Sequence, residues 1–173
     1  MEGVGVTMGA VYIHYGANHY DPEKFKPIKN HLLFVKPEGG MWGSLKDASY
    51  GWKEWCNDQD FHTEKLEAHF RFTLAPHANI LQINSKEDLV ELPKVKPPEV
   101  NGKEFPTSIM PWVLLDFEKL LADGVDAIQV NMSNDTATRY NDRLYQALYG
   151  WDCDSILIMN KDVIICERDD VNA

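Results

Sequence analysis

Cysteine is scarce and odd in number: Cys56, Cys153 and Cys166, with no C-x-x-C pair among them. That pattern supports neither a disulfide framework nor a zinc knuckle, so three reduced, intracellular thiols are expected. H-E-x-x-H, the glycine fingerprint of dinucleotide-binding crossovers and the P-loop are all missing. His14, His19, His31, His62, His69 and His77 fall at no familiar ligand spacing, so no metal is expected. No apolar run approaches the length of a membrane helix. The opening MEGVGVTMGAVYIHYG has no basic start and no long apolar stretch, unlike a secretory signal. A cytoplasmic protein with no membrane partner is the expectation. Basic residues are in deficit, 17 against 27 acidic ones, for a formal charge of −10. A nucleic-acid backbone is repelled by that field, and no dense Lys/Arg cluster opposes it.

What remains is ordinary for a folded chain. The 173 residues are 44% hydrophobic, 25% charged and 11% aromatic. One domain, residues 1–173, accounts for that length. VYIH alternates as a strand, and GMWGS reads as a short buried one. KDASYGWKEWCNDQDF is expected to be helical, with Asp47 or Ser49 as N-cap. LEAHFRFTLA puts Leu66, Ala68, Phe70 and Phe72 on one side and Glu67, His69 and Arg71 on the other. Ile80 to Ile83 is a further strand, and Ser85 to Asp88 has capping-box spacing. Residues 93–106 hold four of the nine prolines and read as a long, Pro-rich surface loop.

A helix is expected over PWVLLDFEKLLADG, with Pro111 in its first turn, Leu114, Phe117, Leu120 and Leu121 on one face, and Gly124 as its stop. VDAIQVNM is a strand with Ala127 and Ile128 buried, ATRYNDRLYQALYGW a helix, DSILIMN a buried strand, and Val163 to Cys166 a strand or turn. No internal repeat is present. Helices are interleaved without regular βαβ spacing, which favours an α+β fold on a mostly antiparallel sheet with flanking helices.

Three pieces of the sequence invite chemistry. YIHYG sets His14 beside Tyr15 near the end of an early strand. GGMWGSLKDASYGWKEW carries three of the five tryptophans, Trp42, Trp52 and Trp55. GVDAIQVNMSND is a strand ending in amides. In this order they resemble the ADP-ribosyltransferase superfamily, in its histidine class, and small bacterial and phage-encoded proteins related to it. KPEGGMW (36–42), GWDCDSIL (150–157) and NKDVI (160–164) resemble further segments of those proteins, so the likeness spans almost the whole chain.

The resemblance implies a split, mostly antiparallel sheet that binds NAD as substrate. It implies that His14, Tyr15 and Ser44 hold the dinucleotide and that Trp42, Tyr50 and Trp52 frame the nicotinamide, with Asn131 a further contact. It places Gln129 where active members carry a glutamate, which leaves three outcomes: Asp126 takes the acid's role, the activity is altered, or the protein only binds. The expected activity is transfer of ADP-ribose to a macromolecule, as by a phage or bacterial effector. A protein is the expected target, a nucleic acid stays open, and the host cytoplasm is the expected place if the gene is a phage's. A competing reading keeps the fold and drops the chemistry: a non-catalytic, acidic interaction or inhibitor protein that blocks a basic partner.

Further expectations rest on the residues. Flat indole faces suit flat heterocycles, and a cationic nicotinamide adds a cation–π attraction. Gly39 and Gly40 would let the backbone approach a ligand. Of Trp52 and Trp55, one is expected in the core and one in the pocket. Strand parity puts Ala127 and Gln129 on one face and Ile128 and Val130 on the other, so Gln129 is expected to face a cleft or solvent, with Asn131 on its side and Asp126 opposite. Trp151, Asp152 and Asp154 are read as a structural turn.

Overall fold

The structure, a computed structural model, describes residues 9–32, 34–97, 99–104, 113–131 and 142–166. Its frame is a seven-stranded sheet. β1 (Tyr12–Tyr15), β2 (Met41–Leu45), β3 (His69–Leu74), β4 (Ile80–Ile83), β7 (Ala127–Val130), β8 (Ser155–Ile158) and β9 (Ile164–Cys166) lie in the order β4-β7-β8-β2-β1-β3-β9. All neighbours are antiparallel except β4 and β7. That parallel pair brackets α2 (Phe117–Ala122), a crossover of the kind parallel strands require. The fold is therefore mixed, with few helices on a mostly antiparallel sheet. A separate hairpin, β5 (Glu99–Val100) and β6 (Lys103–Glu104), turns at Asn101 and Gly102, both with positive φ.

An apolar cluster packs on each face of the sheet, and residues opposite one another in neighbouring strands share a face. Ile13 opposes Ser44, Trp42 opposes Leu157, and Leu157 opposes Ile128. On that face Trp151, Leu148, Leu120, Phe117 and Leu89 complete an apolar cluster. Gly43 opposes Ile156, which opposes Gln129. On this second face Tyr12, Phe72, Ala127, Ile156 and Val163 make another cluster.

α1 (Trp52–Gln59) starts later than expected. Its N-cap is Gly51, not Asp47 or Ser49. The Glu54 carboxylate accepts from Gly51 N at 3.0 Å, and Ser44 Oγ accepts from Trp52 N at 2.9 Å. A hydroxyl from the neighbouring strand thus does what a local cap would do. α2 is also shorter than expected. Asp116 caps it, accepting from Lys119 N at 3.0 Å, while Leu114 and Leu115 precede it in extended chain. Pro111 lies outside the described residues.

The chain from Pro93 is not wholly a loop. Asp116 N donates to Pro93 O at 2.8 Å and Val95 N to Leu114 O at 2.9 Å. Residues 96, 97, 99 and 101–104 are exposed. The helix expected over 137–151 lies partly outside the described residues, and its described part holds a 3₁₀ turn, Tyr145–Leu148.

Candidate functional site

β1 and β2 stay paired only through Tyr12–Leu45 and Ile13–Ser44. Beyond that point His14 Nδ1 lies 2.7 Å from Trp42 O. A carbonyl only accepts, so Nδ1 carries the hydrogen and donates, leaving Nε2 available to a ligand in the neutral ring. The His14 ring packs at 5.0 Å from Phe70.

A cavity of about 220 Å³ opens beside this junction, lined among others by His14, Tyr15, Lys36, Trp42, Ser44 and Trp52. Asp152 and Cys153, just before β8, and Ser155, its first residue, close it. Ser44 joins the two walls: besides capping α1 it donates to Asp154 O at 3.3 Å, and Asp154 N donates to Tyr50 O at 3.0 Å. Trp42 stands edge-on to the core residue Trp151, with ring centroids 4.8 Å apart, and Lys36 Nζ sits 4.5 Å from the centre of its ring. Burial raises the Tyr15 phenol, and the Glu54 carboxylate raises it further. Burial pushes the Cys153 thiol up to about 12, so it stays protonated and is a poor nucleophile near neutral pH.

A second cavity, about 250 Å³, lies beside the first and shares His14 and Trp42 with it. His19, Tyr20, Lys24, Phe25 and Phe70 line it. Tyr20 Oη is buried and has no hydrogen-bond partner among the described residues.

The structure thus brings His14, Tyr15, Trp42, Ser44 and Trp52 around one cavity. Gln129, Asn131, Asp126 and Tyr50 are not among its lining residues. Gln129 has the expected parity, but its face is covered rather than open, and it is only 7% exposed. Its Oε1 accepts from Tyr12 Oη at 2.9 Å and from Gln82 Nε2 at 3.4 Å, and its Nε2 donates to Asn131 Oδ1 at 3.1 Å. Asn131 Nδ2 returns to Gln82 Oε1 at 3.1 Å, closing a ring of amides. Asp126 holds two loops, accepting from Asn79 N and Asn160 Nδ2, each at 2.8 Å.

Two readings of the aromatic stretch change. Neither Trp52 nor Trp55 is core: both are half-buried and stack on each other at 5.0 Å, and Cys56 is the fully buried residue of their helix. Among the described tryptophans, the core one is Trp151. Gly39 and Gly40 have φ of +78° and +69°, and both permit a close approach to the protein's own chain, while Gly40 also lines the second cavity. A Cβ on Gly40 would lie 2.7 Å from Ile158 O, and one on Gly39 would collide with Pro27 O.

Lys36 and Asp152 were missed as site residues. Lys36 opens KPEGGMW, and Asp152 sits in a turn just before an apolar strand, where side chains reach a cleft. No group of three or more His, Cys, Asp or Glu suited to a metal occurs among the described residues. No described helix is long and apolar enough to cross a membrane. Comparison of the chain with protein-family models, curated proteins and solved structures finds no match.

Proposed function

We propose that the protein is an ADP-ribosyltransferase-like enzyme that binds NAD across the two cavities and transfers ADP-ribose to a macromolecular target. The observation that carries this reading is the pair of compartments meeting at His14 and Trp42. A dinucleotide has two flat ends joined by an anionic diphosphate. Here each compartment has aromatic walls, and Lys36 and Lys24 place one cation beside each. Trp42 and Trp52 suit the nicotinamide end by stacking and cation–π attraction. In the other compartment, a ligand acceptor would satisfy the orphaned Tyr20 hydroxyl, whose burial alone is costly.

In this reading Asp152 supplies the carboxylate, since it lines the cavity and Gln129 and Asp126 do not. The bond between the nicotinamide nitrogen and ribose C1′ breaks, its electron pair leaves with the nicotinamide, and the sugar takes up positive charge. A fixed carboxylate in a partly dry site favours that charge. The acceptor group of the target then attacks C1′ and loses its proton. Cys153, held protonated, takes no part as nucleophile.

The test is nicotinamide release and ADP-ribose adducts followed by mass spectrometry. Catalytic amounts of protein should consume NAD, and Asp152→Asn should lower turnover about 100-fold or more, with the fold retained. Binding of a partner at stoichiometric amounts, with no NAD consumed, would favour the non-catalytic acidic protein instead.

A further inference from the structure

Outside the cavity, α1 and the turn after it carry a second aromatic surface. Trp55 stacks on Trp52, and the Phe61 ring meets Trp55 edge-on at 5.3 Å and Trp52 at 6.1 Å. His62 closes the row, 4.3 Å from Phe61. None of these rings belongs to either apolar cluster of the sheet, and Phe61 is 40% exposed. The turn is shaped to present it: Asp60 and His62, on either side of Phe61, both adopt left-handed backbone with φ of 49° and 47°. Phe61 N donates to Cys56 O at 2.9 Å, which pins the ring over the end of the helix.

The surroundings are anionic. Between Asp47 and Glu67 there are six carboxylates, two lysines and no arginine. Asp58 and Asp60 lie between Trp55 and Phe61 in the chain, and Glu64 contacts His62 at 3.2 Å. An apolar partner would have to desolvate these charges, and a phosphate backbone would be repelled by them. A cation gains twice, from the ring faces and from the carboxylates.

We propose that this surface docks an arginine side chain of a partner protein. A guanidinium is planar, weakly hydrated and able to stack on an indole while its edges reach carboxylates; a lysine ammonium does only the second well. Trp52 belongs to both this surface and the cavity wall, so a segment held here lies at the cavity mouth. That last point rests on the proposed function; the docking itself does not.

The experiment titrates the full chain with three soluble peptides of equal length, rich in arginine, lysine or glutamate, following tryptophan fluorescence and heat. The arginine peptide should bind about fivefold or more tighter than the lysine peptide, and the glutamate peptide should not bind. Trp55→Ala should weaken the arginine peptide about tenfold, and added salt should weaken it further. Asp60→Asn removes one charge with a residue that tolerates left-handed backbone, and should weaken it several-fold. Equal binding of the lysine or glutamate peptide, unchanged binding by a folded Trp55→Ala, or tighter binding of a single-stranded oligonucleotide would overturn the proposal. NAD titration of the same samples separates the two claims. Asp60 lines neither cavity, so Asp60→Asn should bind NAD like the parent. A parent that binds arginine peptide but not NAD would sink the enzymatic reading alone.

Discussion

At the scale of single residues, Gln129 shows what a sequence can and cannot specify. Period-2 alternation predicts its parity with Ala127 correctly. It also suggests an open face, because one face of an alternating strand is usually wet. Burial of that face is set by Tyr12, Phe72 and Val163, which arrive from distant parts of the chain. Local pattern cannot report such contacts. Gln129→Glu should therefore act first on stability. It puts a carboxylate among groups arranged for an amide, and its new oxygen faces Asn131 Oδ1, so a loss of about 1–3 kcal/mol is expected. Urea unfolding measures it; an unchanged midpoint would mean that the amide ring is wet or rearranges freely. The aromatic half of the site was legible because glycine and tryptophan in GGMWGS are conspicuous. Asp152 was not, because a surface turn and a strand-end acid look alike in sequence.

Among elements, the strands were the most legible. Ser155–Ile158 and Ile80–Ile83 are short, mostly apolar stretches, and both pair as strands. Helix starts were less so, because their caps come from elsewhere. The helix at Trp52 depends on Ser44, eight residues earlier and on another element. Ser44→Ala should leave Trp52 N without its cap and Asp154 O without its donor. A loss of about 1–2 kcal/mol is expected, together with loosening of the cavity wall, read as faster amide exchange at Trp52. Full protection there would show that Ser44 does not hold the wall. The Pro-rich stretch is loop only in part. Limited proteolysis should cut first within residues 96–104, where 96, 97, 99 and 101–104 are exposed, and spare Pro93–Val95, which is bonded to 114–116. First cuts at Pro93–Val95 would contradict that pairing.

For the whole molecule, burial of weak acids sets an alkaline limit. Tyr12 is raised by burial, and so is Cys153, from the usual thiol value of 9.0 to about 12. The folded protein keeps protons that the unfolded chain releases. Stability is thus full below about pH 9 and falls as pH rises toward about 12. The urea midpoint should be lower at about pH 10.5 than at about pH 7.5, and Cys153→Ala should flatten that fall relative to its own neutral value. An unchanged slope in the variant would mean that Cys153 is not the group responsible.

The central claim is that the cavities flanking His14 and Trp42 hold NAD. Its most direct measurement is a calorimetric titration of the full chain with NAD, alongside Trp52→Ala. The account predicts saturable binding by the parent and at least about tenfold weaker binding by a folded Trp52→Ala, from loss of an aromatic wall. No saturable heat with the parent at millimolar NAD, or equal binding by both proteins, would contradict it.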